Sequence, residues 1–256
     1  MNSLNDQLLE LQREWEEKCY NPLKEEYDKD ILGRGKLSCA FSFGVSDHYA
    51  NSNKRIMIVG QEANGHSYDY DQWYLYNWQK WAIAYLNRQV NKERNKDIGY
   101  NRSPFWRFFR ALEKKGYAPC WNNIDKVRKY CCVDAKDWVE CKLPWDEQSK
   151  DREILNSKIF NGKSLLQKEI ELAAPDAVVF IIGPHNPYYH ALSLAFFDGE
   201  DVDQRLAEVK PSEKDCCQEI SSILGLNIPA YWTYHPNFLS RNKLFNNVID
   251  QIVGAK

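Results

Sequence analysis

The sequence predicts an α/β domain: a three-layer α/β/α sandwich around a central, mostly parallel four-stranded sheet. Three observations predict it. Short apolar runs recur at Ile56–Val59, Pro119–Ile124, Ala177–Gly183 and Ala230–Tyr234. Amphipathic stretches with three- and four-residue spacing lie between them. No repeat or linker interrupts the 256 residues, enough for one large core. Strands alternating with helices in this way form parallel sheets covered on both faces.

The elements follow in order. Leu4, Leu8, Leu11, Trp15 and Cys19 predict an amphipathic helix over 3–20, the main part of an N-terminal helical extension over 1–50. Residues 31–55 read as irregular. Ile56–Val59, stopped by Gly60, reads as a buried parallel strand feeding a functional loop. A Trp- and Tyr-rich helix is expected over 72–88. Ser103 as N-cap, Pro104 at the first helical position and Gly116 past the end bracket another helix, with Phe105, Phe108, Phe109 and Leu112 on its apolar face. Residues 125–160 are mixed and charged and read as an insertion. Helices are expected at 165–173 (ending at Ala174-Pro175), near 187–197 and near 213–224, and a last one carries Leu244, Val248 and Ile252.

In such sheets ligands bind beyond the carboxyl ends of the strands. Those ends read Gly60-Gln61-Glu62-Ala63-Asn64-Gly65, Asn122-Asn123, Gly183-Pro184-His185-Asn186 and His235-Pro236-Asn237. A carboxylate, amides and a histidine thus converge on one cleft from distant segments, the arrangement expected of an active site.

These residues also carry a family likeness. Ile56–Asn64, an apolar strand followed by GQEAN, resembles the first motif of the uracil-DNA glycosylase superfamily, GQDPY in its best-known branch. Tyr234–Arg241 (YHPNFLSR) resembles its final motif, HPSPLS. Asn101–Trp106 is similar to the NRFW helix start of the mismatch-specific branch, with two residues inserted. Trp121–Lys126 resembles the strand ending TN-x-x-K, and Pro175–Phe180 the PDVVVF-like third strand. The matches keep the family's order from residue 56 to about 245.

The resemblance implies hydrolysis of the N-glycosidic bond of a base flipped out of DNA, leaving an abasic site. Such chemistry wants hydrogen-bond donors on the departing base and an anion or oriented water near the sugar. The implied catalytic residues are Glu62, on the water or the sugar cation, and His235, donating to a carbonyl oxygen of the base. Asn123 would read the base edge and Gln61 would offer its backbone N–H. Tyr68, Tyr70, Trp73 and Phe105 compete to stack on the base. Phe238 or Leu239 would fill the vacated stack, and Pro236, Ser240, Arg241 and Lys243 would fix the loop and hold phosphates. Glu stands where the motif has Asp, and Ala63 where it has proline. Asn64 replaces the tyrosine that excludes thymine's methyl group, which implies a roomier pocket open to thymine, hypoxanthine or a hypermodified phage base.

Lys plus Arg number 34 against 36 Asp plus Glu, a net charge of -2, which excludes coating of nucleic acid by bulk charge but not a local basic groove. The stretch 87–96 is a basic candidate for one. None of the eight cysteines forms a CxxC pair, so neither a zinc site, nor an iron–sulfur cluster, nor any other cofactor is expected. The polar N-terminus and the absence of a long apolar run predict a cytoplasmic protein with reduced thiols and no membrane partner. Nothing demands more than a monomer, with DNA, single- or double-stranded, as the partner.

Two further readings stay open. One is a binding module of the same fold that senses damaged or foreign DNA without cleaving it. The other is an α/β hydrolytic enzyme acting on free nucleosides or other small molecules. Taken singly, Glu62 could be a helix cap, His235 a satisfied core histidine and Asn122-Asn123 a turn.

Overall fold

The computed structural model describes residues 3–30, 35–62, 79–80, 82–84, 86–87, 103–134, 137–140, 150–198 and 203–254; the side chains of residues 62, 130–134 and 137–140 lie outside this description. Its centre is a five-stranded sheet in the order β3-β2-β6-β8-β7, comprising β2 (Arg55–Glu62), β3 (Ala118–Asp125), β6 (Ala177–Phe180), β7 (Cys217–Glu219) and β8 (Ala230–Thr233). The first four of these neighbours run parallel, and β7 adds an antiparallel edge.

The four expected strands are the four parallel ones; the sheet has a fifth. The helix expected near 213–224 is instead β7 followed by a single helical turn, Ser221–Leu224. Long-range bonds impose that outcome. Thr233 Oγ1 donates to Cys216 O at 2.6 Å, and Gln251 Nε2 donates to Cys217 O at 2.9 Å.

Strand alternation divides β2 between two cores. Met57 and Val59 join Val178, Phe180 and Trp232 beneath helices α1 (Leu4–Trp15), α5 (Leu165–Ala173) and α6 (Tyr188–Phe196). Ile56 and Ile58 join Val179, Ile181 and Tyr231 beneath α3 (Pro104–Lys114), α7 (Pro236–Arg241) and α8 (Phe245–Gly254). Helices therefore cover both faces of the sheet. Local signals set the helix ends: Ser103 caps α3 through Trp106 N, and Gly116 follows it at φ 86°. A Ser164–Gln167 capping box opens α5.

The helical start is longer than expected. After α1, a π-helical turn, Glu16–Tyr20, leads directly into α2 (Asn21–Lys29). The N-terminal extension and the insertion then build on each other. β1 (Lys36–Leu37) pairs with β4 (Lys129–Asp134), which pairs with β5 (Asp137–Glu140), forming a second, antiparallel sheet. Trp15 Nε1 donates to Leu155 O at 2.9 Å, and Tyr27 Oη donates to Asp151 of α4 (Lys150–Leu155) at 2.6 Å. Arg152 fastens this unit to the sheet: it ion-pairs with buried Asp125 at the end of β3 and donates to Pro187 O at 2.9 Å. Among the described residues, no helix is long and apolar enough to cross a membrane.

Glu16 gives this substructure a pH dependence. It is only 2% exposed, and burial raises its carboxyl from 4.5 to about 7, against the opposing hydrogen bond from Gln12 Nε2 at 2.8 Å. Between those two values the folded chain binds more protons than the unfolded one, so stability is fully present below 4.5 and falls as pH rises through 7. The loss attributable to this group is about 3 kcal/mol. Urea unfolding at pH 5 and pH 8 is expected to show that slope in wild type and a flatter one in Glu16→Gln. Equal slopes would disprove it.

Candidate active site

From β2 the chain crosses to β3 on one side, then to β6 and β8 on the other. The crossovers diverge between β2 and β6, and in open α/β sheets the ligand crevice lies beyond the carboxyl ends at that point. The side chain of Gln61, one residue past Gly60, spans this gap, with Nε2 donating to Ile182 O at 2.8 Å. Thus the Gln61 amide closes the floor between two strands. On the far side, Gly183 N–H donates to Thr233 O at 3.0 Å, and Trp232 Nε1 donates to Gly183 O at 3.0 Å. These bonds hold the start of the 183–187 segment against the end of β8, just before His235.

Asn122 and Asn123 are strand residues, not a turn, and alternation sends them to opposite faces. Asn122 faces α5. Its Nδ2 donates to Glu169 at 2.9 Å, and its Oδ1 accepts from the Lys126 ammonium and from Asn123 N–H (2.8 Å). Lys126 and Glu169 form a buried ion pair at 2.7 Å, and burial lowers the Lys126 ammonium against the pull of Glu169. Asn122 is thereby fully used in holding structure.

Asn123 faces α3, and it is the polar group available for a ligand. It is 1% exposed; Oδ1 accepts from Trp121 Nε1 at 3.0 Å, while Nδ2 is buried without a hydrogen-bond partner among the described residues. A buried donor left unsatisfied costs about 1–3 kcal/mol, which an acceptor on a bound molecule would recover. Gly60 makes room for this side chain, since a Cβ there would stand 2.9 Å from Asn123 Oδ1. A side chain at this position of β2 would force the Asn123 amide to shift, so the close approach favours glycine. Gly60 pairs with Asn123 and Glu62 with Asp125, so Glu62 ends β2 in step with the same rim; its side chain is outside the described residues.

His235 stands at the N-cap of α7, following β8. Its Nδ1 accepts from Asn237 N at 3.2 Å, which places the ring proton on Nε2. Burial alone pushes the imidazole below its ordinary 6.5. Position and environment therefore yield a neutral ring presenting a fixed Nε2–H donor.

Other expected residues divide. Phe105 is half-buried at the start of α3 and packs edge-on at 5.6 Å to Trp121, the residue that bonds Asn123. Phe238 is half-buried and stacks on Tyr234 at 4.1 Å. Leu239 is fully buried in the core beneath α3 and α8, so it packs the domain and cannot serve as the wedge expected of it. Pro236 is also buried and starts α7. Ser240 is half-buried, its Oγ taking a 3.4 Å bond from Arg107, and Arg241 is exposed. Asn64, Tyr68, Tyr70, Trp73 and residues 88–96 lie outside the described residues. Sequence reasoning overlooked Trp121 as a partner of Asn123; their two-residue spacing on a strand is the signal that could have revealed it.

No known protein-family model matches the chain, and no curated protein matches it either.

What the described geometry can do follows from its groups. One side-chain amide donor and one neutral imidazole donor flank a rim that carries Gln61 and Glu62. These two donors suit a ligand that offers hydrogen-bond acceptors and gains negative charge at one of them.

Proposed function

We propose that this protein is a monofunctional DNA glycosylase of the uracil-DNA glycosylase type, hydrolysing the N-glycosidic bond of a flipped-out uracil or related base. One observation carries the reading above the rest: the unpartnered Nδ2 of buried Asn123 shares the carboxyl-end rim with a histidine held as the neutral Nε2–H tautomer. The motif order from GQEAN to YHPNFLSR supports it.

In this reading Asn123 donates to a carbonyl of the base, and Oδ1 keeps a second lone pair for the neighbouring ring N–H. His235 donates Nε2–H to the oxygen on which negative charge develops as the base departs. Glu62, at the end of β2, orients a water molecule or offsets the oxocarbenium character of the sugar. Phe105, packed on the Trp121 ring that bonds Asn123, would offer a face for the base to stack on. The one lysine in these motifs, Lys126, is buried in its ion pair with Glu169 on the α5 face and is not free to form a Schiff base, so the product is an abasic site and not a cleaved strand.

The test uses labelled single- and double-stranded oligonucleotides carrying uracil, mismatched thymine, hypoxanthine or hydroxymethylcytosine, with alkali to reveal abasic sites. Excision by wild type, lost in Glu62→Gln while DNA binding is retained, is the expected result. Salt-sensitive binding without excision of any base, unchanged in Glu62→Gln, would instead establish a sensor.

A further inference from the structure

We propose that Trp121 determines which class of base the site accepts, by fixing the Asn123 amide with its NH2 group offered to the ligand; the inference rests on the glycosylase reading above. An indole N–H can only donate, so the Asn123 atom 3.0 Å from Trp121 Nε1 must be the oxygen. That single bond decides the orientation of an otherwise symmetric-looking amide. The indole itself is held from three sides, by Phe41 at 5.0 Å, Phe105 at 5.6 Å and Trp106 at 6.0 Å between ring centroids. It cannot turn away without disturbing all three rings.

The consequence is chemical selection. With Oδ1 tied to the indole, the free group at this position is the Nδ2 donor, and it is buried. A base with a carbonyl there, such as uracil, thymine or hypoxanthine, satisfies it. A base with an exocyclic amine there, such as cytosine or adenine, sets donor against a buried donor. Buried mismatches of this kind are what allow a site to reject an analogue by several orders of magnitude. Asn123 therefore recognises the base, whereas Trp121 acts through it as a positioning residue. Without the indole N–H, the amide is free to rotate by half a turn and present its oxygen to an amine.

Trp121→Phe retains an aromatic ring among Phe41, Phe105 and Trp106 but removes the N–H. Single-turnover excision from otherwise identical oligonucleotides carrying uracil or cytosine is compared in wild type, Trp121→Phe and Trp121→Phe/Asn123→Ala, with the melting temperature of each. The uracil-to-cytosine ratio is expected to fall at least about tenfold in Trp121→Phe, through gained action on cytosine, and the added Asn123→Ala removes that gain. Uracil excision by wild type with an unchanged ratio in Trp121→Phe, including an equal loss on both bases, overturns the role of Trp121 and leaves the glycosylase reading standing. A wild type that neither excises nor binds any base overturns both. Should Trp121→Phe fail to fold, the wild-type protein still decides: free uracil is expected to shift the Asn123 Nδ2H2 NMR signals and free cytosine not to. Equal shifts by both bases overturn the proposal.

Discussion

His235→Asn is expected to lower kcat for base excision by about 10²- to 10³-fold while changing KM little, the loss typical when one preorganised donor to a developing anion is removed. The split between the two constants follows from timing. In the proposed glycosylase reaction, Nε2–H would meet a neutral carbonyl in the bound substrate and a charged oxygen only as the glycosidic bond breaks, so the interaction would strengthen on the way to the transition state. Asparagine is the informative replacement because His235 also caps α7, accepting from Asn237 N at 3.2 Å. Removing that cap outright costs about 0.5–2 kcal/mol and would confuse catalysis with folding; asparagine keeps an N-cap acceptor. The pH dependence has a definite sign. Burial lowers the imidazole below 6.5, so the neutral form prevails above that value and is lost as pH falls through the lowered midpoint. Protonation also turns Nδ1 into a donor facing the Asn237 N–H, breaking the cap. A 15N NMR titration should give a neutral Nε2–H ring at pH 7. A midpoint at or above 6.5, or an unchanged kcat in His235→Asn, would refute the assignment.

The four parallel strands were legible because burial on both faces leaves a continuous apolar run, as in Val178, Val179 and Phe180, all fully buried. The start of α3 was legible because its signals, Ser103, Pro104 and Gly116, act within a few residues of themselves. β7 was not. Three residues, Cys217–Glu219, become a strand only because β8 lies beside them, and nothing local distinguishes them from the amphipathic stretch around them. The 125–160 stretch failed for the same reason, since β4 finds its partner in β1, far upstream. At the site, Gly60, Asn123 and His235 were readable from strand ends. The roles of their neighbours depend on facing and depth: Leu239 sits one residue beyond half-buried Phe238 yet is fully buried, because the first turn of α7 carries that position inward. The Lys126–Glu169 pair joins residues 43 apart, beyond the reach of any local pattern.

That pair carries the largest expected effect on stability. Lys126→Met is expected to destabilise the fold by about 3–5 kcal/mol, because it leaves the Glu169 carboxylate, 2% exposed, without its cation. For a chain of this size the melting temperature should drop by roughly 6–20 °C. Removing both charges is a different matter. The desolvation cost of the pair disappears together with its attraction, so Lys126→Met/Glu169→Leu is expected to recover most of the loss. Recovery should nevertheless be incomplete, and the reason leads back to the site. Asn122 Oδ1 accepts from the Lys126 ammonium and from Asn123 N–H, and Asn122 Nδ2 donates to Glu169. The double variant leaves Asn122 buried with a donor unmet, and it loosens the residue that orients the Asn123 backbone. Excision should therefore remain impaired in the double variant at temperatures where it is fully folded, with the rise falling on KM for base-containing DNA. A double-mutant cycle on melting temperature, read beside excision kinetics, separates the two effects. If Lys126→Met alone costs less than about 1 kcal/mol, the pair is not the anchor described here. If the double variant regains both stability and full activity, the link from Lys126 through Asn122 to Asn123 is wrong, and Asn123 is positioned by Trp121 and Gly60 alone.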